Sequence, residues 1–178
     1  GTLSRESVDS MSDIVWAINP QRDHLSDLTH RMRRFAEDLF DAKEIDFTVQ
    51  STLDEKDVRL GSELRREVYL IFKECVNNLV KHADCRKAEL VFSIDDPYLV
   101  VSISDDGKGF KPAEPGTNGN LAGMGGHGLA NMQRRAQAIG GSLNIDSEVG
   151  RGTKVTLKVP IRQRSRWLPW PFSYPNGR

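Results

Sequence analysis

Cysteine is nearly missing from this chain: two among 178 residues. That is too few for the paired framework of a small secreted domain, and Cys75 falls at an apolar helix position, so the expected compartment is reducing. No apolar run approaches the roughly 18 residues of a membrane span. No leader with a charged start, an apolar middle and a cleavage site is visible. Neither sign of charge is in excess, with 25 basic and 25 acidic residues, which excludes a surface attracting nucleic acid or membrane as a whole. No internal repeat is present. These absences leave a soluble, cytoplasmic protein of one domain plus short extensions, long enough for a real core. The chain opens Gly1-Thr2-Leu3 without a methionine, as a piece of a longer protein would.

What is present centres on Leu70 to Asp84, LIFKECVNNLVKHAD. At about 100° per residue, Val68, Phe72, Cys75, Val76, Leu79 and Ala83 share one arc, a core-facing stripe. Glu67, Glu74, Asn78 and Lys81 fall on the opposite side, with Asn77 and His82 at its margins. A carboxylate, amides, an ammonium and an imidazole within two turns suit a hydrated divalent ion and phosphate oxygens. An ordinary solvated face fits the same residues.

Taken in order, Val8, Met11, Ile14, Val15 and Ile18 recur at helical spacing until Asn19-Pro20 ends the helix. Trp16 adds apolar area that needs cover, from the domain body or a second chain. A second helix is expected over 26–41, with Leu28, Met32, Phe35, Ala36 and Leu39 buried and Ser26 or Asp23 as its cap. Ile45, Phe47 and Val49 alternate as in a half-buried strand. Gly61-Ser62 opens the long helix. Two alternating runs, 88–94 and 99–103, flank Asp95-Asp96-Pro97 and read as a hairpin. Pattern then collapses from Phe110 to Gly126 among glycines and prolines. A further helix over 128–139 buries Leu129, Met132, Ala136 and Ile139 and stops at Gly140-Gly141. Leu143 and Ile145, then Val155, Leu157 and Val159, form a last strand pair across Gly150-Arg151-Gly152. The stretch 161–178 carries arginines, prolines and aromatics without an acid, and reads as an irregular terminus. This order predicts an α+β fold: a two-layer sandwich, its mixed sheet of about five strands covered by helices on one face.

Three motifs carry chemistry. Asp105-Asp106-Gly107-Lys108-Gly109-Phe110 places an acid at a strand end beside two glycines, so that a ligand reaches backbone while a carboxylate accepts hydrogen bonds, as from an adenine amine. A tight Asp-Gly turn after a strand accounts for it equally. Gly126-His127-Gly128-Leu129 opens a helix, where unpaired amides favour an anion. Gly152-Thr153 opens the last strand and says little alone.

In this order, the ExxxN helix ending in KHA, DDGKGF, a glycine-rich lid, GHGL and GT resemble the ATP-binding catalytic domain of sensor histidine kinases. Their superfamily includes gyrase, heat-shock chaperone and mismatch-repair ATPases, and its fold is of the Bergerat type. The likeness covers about residues 45 to 160 and is nearest to the nitrate-sensor and desaturase-sensor group. MSDIVWAINP, residues 11–20, is similar to the segment joining dimerisation helices to this domain.

The resemblance implies roles for particular positions. Asn78 would give its amide oxygen to Mg²⁺ bridging the triphosphate of ATP, and Glu74 would orient metal-bound water or act as a base. Asn77, Lys81, His82, His127 and Leu129 would line the nucleotide, the lysine and His82 at phosphate. Asp105 would accept from the adenine amine, with Gly107 and Gly109 permitting the approach and Thr153 bonding through water. Gly126 and Gly128 would offer backbone amides to phosphate, and 111–126 would be the lid. Domains follow: 1–20 a linker helix, 21–160 the catalytic domain, 161–178 a tail.

The family's substrate histidine is followed by an acid on a dimerisation helix, and none of His24, His30, His82 or His127 matches. It is therefore expected upstream of Gly1, in a homodimeric sensor that passes phosphoryl to a response regulator. The nucleotide domain itself would touch neither nucleic acid nor membrane. Two other readings stay open: a serine kinase of the anti-sigma type, and a nucleotide-binding module without transfer.

Overall fold

A computed structural model describes residue 16 and residues 23–52, 58–111 and 126–161. The linker helix apart from Trp16, the expected lid apart from its end residues 111 and 126, and the tail after 161 lie outside the described residues.

The first complete helix, α1, is Leu25–Asp41, burying Leu25, Leu28, Met32, Ala36 and Phe40. Phe35 and Leu39, expected within the stripe, are only partly buried against the core. Leu25 and Phe40 take their places at the helix ends. Its cap also departs from expectation: His24 stands at the N-cap with no side-chain bond. Two backbone bonds to a neighbouring segment do that work, Leu25 N–H to Val58 O at 2.9 Å and Leu60 N–H to Asp23 O at 2.7 Å. Orphan amides at a helix start need partners, and here tertiary structure supplies one where Ser26 or Asp23 was expected.

Strand β1, Asp46–Ser51, follows, and then α2, Ser62–Asn78. All six apolar residues expected on its inner arc are buried. The helix does not run straight to Ala83: Leu79–Ala83 forms a π turn. A hairpin comes next, β2 Lys87–Asp95 and β3 Tyr98–Asp105, paired antiparallel with Asp95 opposite Tyr98. Helix α3, Gly126–Ala138, leads to β4 Ser142–Ser147 and β5 Thr153–Pro160. Gly140, at φ +70°, ends the helical path. Gly141 N–H then bonds Ala136 O at 2.8 Å and Gly140 N–H bonds Gln137 O at 3.0 Å, the pair of bonds that closes helix carbonyls through a left-handed glycine.

The five strands make one sheet in the order β1-β2-β3-β5-β4. Only β1 and β2 are parallel, and the other pairs are antiparallel. The fold is α+β with a mixed sheet, as predicted. Strand residues point alternately to the two faces, so Ala88, Leu90, Phe92, Leu99, Val101, Ile103, Leu157 and Val159 meet the helices in one core. Each large side chain fully buried there contributes on the order of 1.5–3 kcal/mol relative to exposure. The cover for Trp16 is the domain body: its ring lies 5.6 Å from that of Tyr69, with the guanidinium of Arg31 4.7 Å from its centre.

Candidate functional site

The outer end of β3 carries two adjacent acids with opposite situations. Asp106 is exposed and its Oδ1 accepts the N–H groups of Arg86 and Lys87, both at 2.8 Å. Those bonds, Lys87's foremost, hold its carboxyl below the usual carboxylate range. Asp105 points the other way in the alternation of the strand. Removal from water pushes its carboxyl above the usual range, against the opposing pull of N–H donors from Gly107 and Thr153, and Asp106 adds to the rise. Its bond from Gly107 N–H is 2.8 Å.

Glycine at 107, 109 and 152 is a matter of space. A Cβ at Gly107 would overlap the carbonyl oxygen of Ala83, at Gly109 that of Glu148, and at Gly152 that of Asp105. Gly109 and Gly152 also adopt φ of +57° and +79°, where side chains are strained. These contacts let the loop after β3 settle onto the end of the π turn, where Lys108 N–H bonds Ala83 O at 2.8 Å.

Asn78 is the last residue before that π turn and is 7% exposed. Its side chain lines a tight hollow of about 10 Å³, room for about one water, together with Asp105 and Thr153. Cys75, Leu79, Ile103, Leu129, Met132, Ile145 and Val155 complete the lining. The helix amide and the strand-end acid therefore face one space, with apolar walls between them.

Other expected positions are distributed around this centre. Glu74 lies against the start of α3: a Cβ on Gly128 would overlap its Oε1. Leu129 is buried and lines the hollow, and Gly126 and His127 open α3. Asn77 and His82 are half-buried and Lys81 is exposed, and none of the three is among the residues lining the hollow. Lys81 and His82 both belong to the π turn. Glu67 departs further. It is buried, and its carboxylate pairs with Arg135 of α3 at 2.7 Å and with Arg66 at 2.8 Å. That end of the polar arc fastens two helices together.

Sequence reasoning missed Ser147, at the end of β4. Its hydroxyl accepts Phe110 N–H at 2.9 Å, lies 3.1 Å from Gly152 O and 3.0 Å from Thr153 Oγ1. Thus it ties the loop after β3 to the start of β5. Nothing in a serine before a turn announces such a role. The sequence also left Cys75 without a site role, although it lines the hollow, its Sγ 3.5 Å from Met132 Sδ. Burial pushes the Cys75 thiol up to about 12 and the Cys85 thiol to about 11, so neither is a nucleophile near neutral pH.

No group of three or more His, Cys, Asp or Glu capable of holding a metal occurs among the described residues. A lone amide oxygen with a carboxylate one turn earlier fits Mg²⁺ all the same, because that ion keeps several waters and relies on substrate phosphates. The hollow is too tight for a ring as it stands, but its apolar walls and strand-end acid suit a flat, donor-bearing ring once those walls part.

Comparison with known proteins agrees with this fold. Residues 63–163 match the family described as histidine kinase-, DNA gyrase B- and HSP90-like ATPase. The chain is 34% identical over 103 residues to the oxygen sensor histidine kinase NreB of Staphylococcus carnosus, covering 58% of this chain and 28% of that protein. It is 38% identical over 108 residues to an uncharacterized sensor-like histidine kinase of Chloroflexus aurantiacus, covering 58% of this chain and 17% of that one. The match thus spans under a third of either relative. In fold, it resembles the histidine kinase domain of the Erythrobacter litoralis EL346 blue-light activated histidine kinase. That likeness has a TM-score of 0.59 at 24% identity and covers 75% of this chain and 61% of that one. No helix among the described residues is long and apolar enough to cross a membrane.

Proposed function

Because this chain belongs to the family of histidine kinase-, DNA gyrase B- and HSP90-like ATPases, we propose that it binds ATP with Mg²⁺ and delivers the γ-phosphoryl group to a histidine on a dimerisation helix outside residues 1–178. The observation that carries this reading is the convergence of Asn78, Asp105 and Thr153 on one apolar-walled hollow. The adenine ring would enter as those walls part, its amine donating a hydrogen bond to Asp105. The triphosphate runs toward the start of α3, whose unpaired N–H groups stabilise it. Mg²⁺, when bound, would neutralise phosphate charge; Asn78 would hold it and Glu74 would orient water beside it. In phosphoryl transfer the protein's part is almost entirely positioning and electrostatic stabilisation, and so the absence of an activated nucleophile in the hollow is no obstacle.

In this reading residues 21–160 are the catalytic unit, residues 1–20 its link to a dimerising region and residues 161–178 a tail. Lys81 and His82, in the turn that follows Asn78, are the residues that meet phosphate. The full-length protein is a homodimeric sensor that passes phosphoryl to a response regulator, the nucleotide domain working in the cytoplasm. The test is phosphoryl transfer from labelled ATP to a separately expressed dimerisation helix. Acid-labile label on histidine is the expected result. Acid-stable label on serine would assign the chain to the anti-sigma type of kinase, and no label would leave a binding module.

A further inference from the structure

The Ser147 hydroxyl sits among three groups whose proton demands leave one consistent arrangement. Phe110 N–H can only donate to Ser147 Oγ, at 2.9 Å. Gly152 O, at 3.1 Å, can only accept. A hydroxyl has one proton and two lone pairs. The Ser147 proton therefore goes to Gly152 O, and Oγ is left to accept from Phe110 and from the remaining neighbour. That neighbour is Thr153 Oγ1, at 3.0 Å, so the threonine is the donor of this pair. With its proton turned toward Ser147, Thr153 keeps only lone pairs for other partners. Thr153 is buried, lines the hollow and stands opposite Asp105 in the strand register.

We propose that Ser147 is a positioning residue that fixes Thr153 as a hydrogen-bond acceptor, and thereby sets the preference of the site for a purine with an amine at its 6-position over one with a carbonyl there. The proposal rests on the nucleotide reading above. Two acceptors side by side, Asp105 and Thr153, satisfy the hydrogens of an exocyclic amine, either directly or through a water. A carbonyl oxygen at the same place meets lone pairs from both. Without the Ser147 hydroxyl, the Thr153 proton is released to turn toward the ligand, and the penalty against the carbonyl falls.

The experiment is a competition titration of ATP against inosine triphosphate, using the whole chain as wild type, Ser147→Ala and Ser147→Thr. Wild type should favour ATP. Ser147→Ala should lower the ATP-to-ITP affinity ratio about fivefold, the equivalent of one hydrogen bond of about 1 kcal/mol. Ser147→Thr, which keeps a hydroxyl, should restore the ratio. If the alanine variant does not fold, Ser147→Cys keeps the size, weakens the same bonds, and should shift the ratio in the same direction. Equal loss for both nucleotides, or an unchanged ratio, would overturn the role of Ser147 while leaving ATP binding intact. A wild-type chain that binds neither nucleotide would overturn this proposal and the reading beneath it together.

Discussion

Asp105 and Thr153 stand opposite one another in the β3–β5 register, and the Thr153 N–H donates to the Asp105 carboxyl. The last strand thus holds the one acid in the hollow whose charge is disfavoured by burial. An acid with a raised native pKa binds its proton more tightly folded than unfolded. Its contribution to stability is complete below the ordinary value of 3.8 and is lost as pH rises through the raised native value. Asp105→Asn, which keeps an oxygen for the Gly107 and Thr153 donors, should therefore be more stable than wild type at neutral pH, and its advantage should vanish in acid. Asp106 has the opposite sign: its contribution is present above 3.8 and lost as pH falls through its lowered value. Asp106→Asn should be less stable than wild type at neutral pH. Thermal unfolding of the three proteins across pH checks both slopes, and parallel curves would contradict them.

Gly152 combines a φ of +79° with backbone too close to admit a Cβ. Gly152→Ala should lose at least about 1–3 kcal/mol from backbone strain. It should also push β5 away from Asp105, so that nucleotide affinity falls with stability. Gly150, at φ +81° but with open space around it, is the control: its alanine variant should lose stability from strain and leave affinity nearly unchanged. Urea unfolding and ATP titration of both variants make the comparison, and equal affinity losses would argue against a steric role for Gly152.

The Glu67–Arg135 pair joins α2 to α3, with the glutamate buried and the arginine partly exposed. A coupling of about 0.5–3 kcal/mol is expected for contacting residues of this kind. Glu67→Gln and Arg135→Met, alone and combined, should yield that coupling in a double-mutant cycle of unfolding free energy. Each single variant should also weaken phosphate binding more than adenosine binding, because α3 opens at the proposed phosphate position. Additive losses would show that the pair does not fasten the helices.

Much of this architecture is written locally. Alternation in Leu90, Phe92, Leu99, Val101, Leu157 and Val159 gives the strands, and the buried arc from Val68 to Ala83 gives the long helix. What local pattern does not carry is the phase of that helix beyond Asn78. The π turn ends at Ala83, which meets the loop at Gly107 and Lys108, a contact between distant parts of the chain. Hence Asn78 closes the regular helix, while Lys81 and His82 lie in a turn that periodicity alone does not foretell. Glu67 misleads for a similar reason: its partner Arg135 belongs to another helix. Ser147 has a role only because two loops converge on it. At α1, His24 holds the cap position because bonds to Val58 and from Leu60 organise the helix start, which composition near Ser26 does not reveal.

The most direct test of a nucleotide bound between Asn78 and Asp105 is calorimetric titration with ATP, with and without Mg²⁺, of wild type, Asn78→Ala and Asp105→Asn. Wild type should bind, and more tightly with Mg²⁺. Asp105→Asn should lose about 1–3 kcal/mol under both conditions, since it replaces an acceptor-only carboxylate beside the adenine amine. Asn78→Ala should lose chiefly the part that Mg²⁺ adds. Wild-type affinity in both variants, or no heat of binding in wild type, would contradict the account.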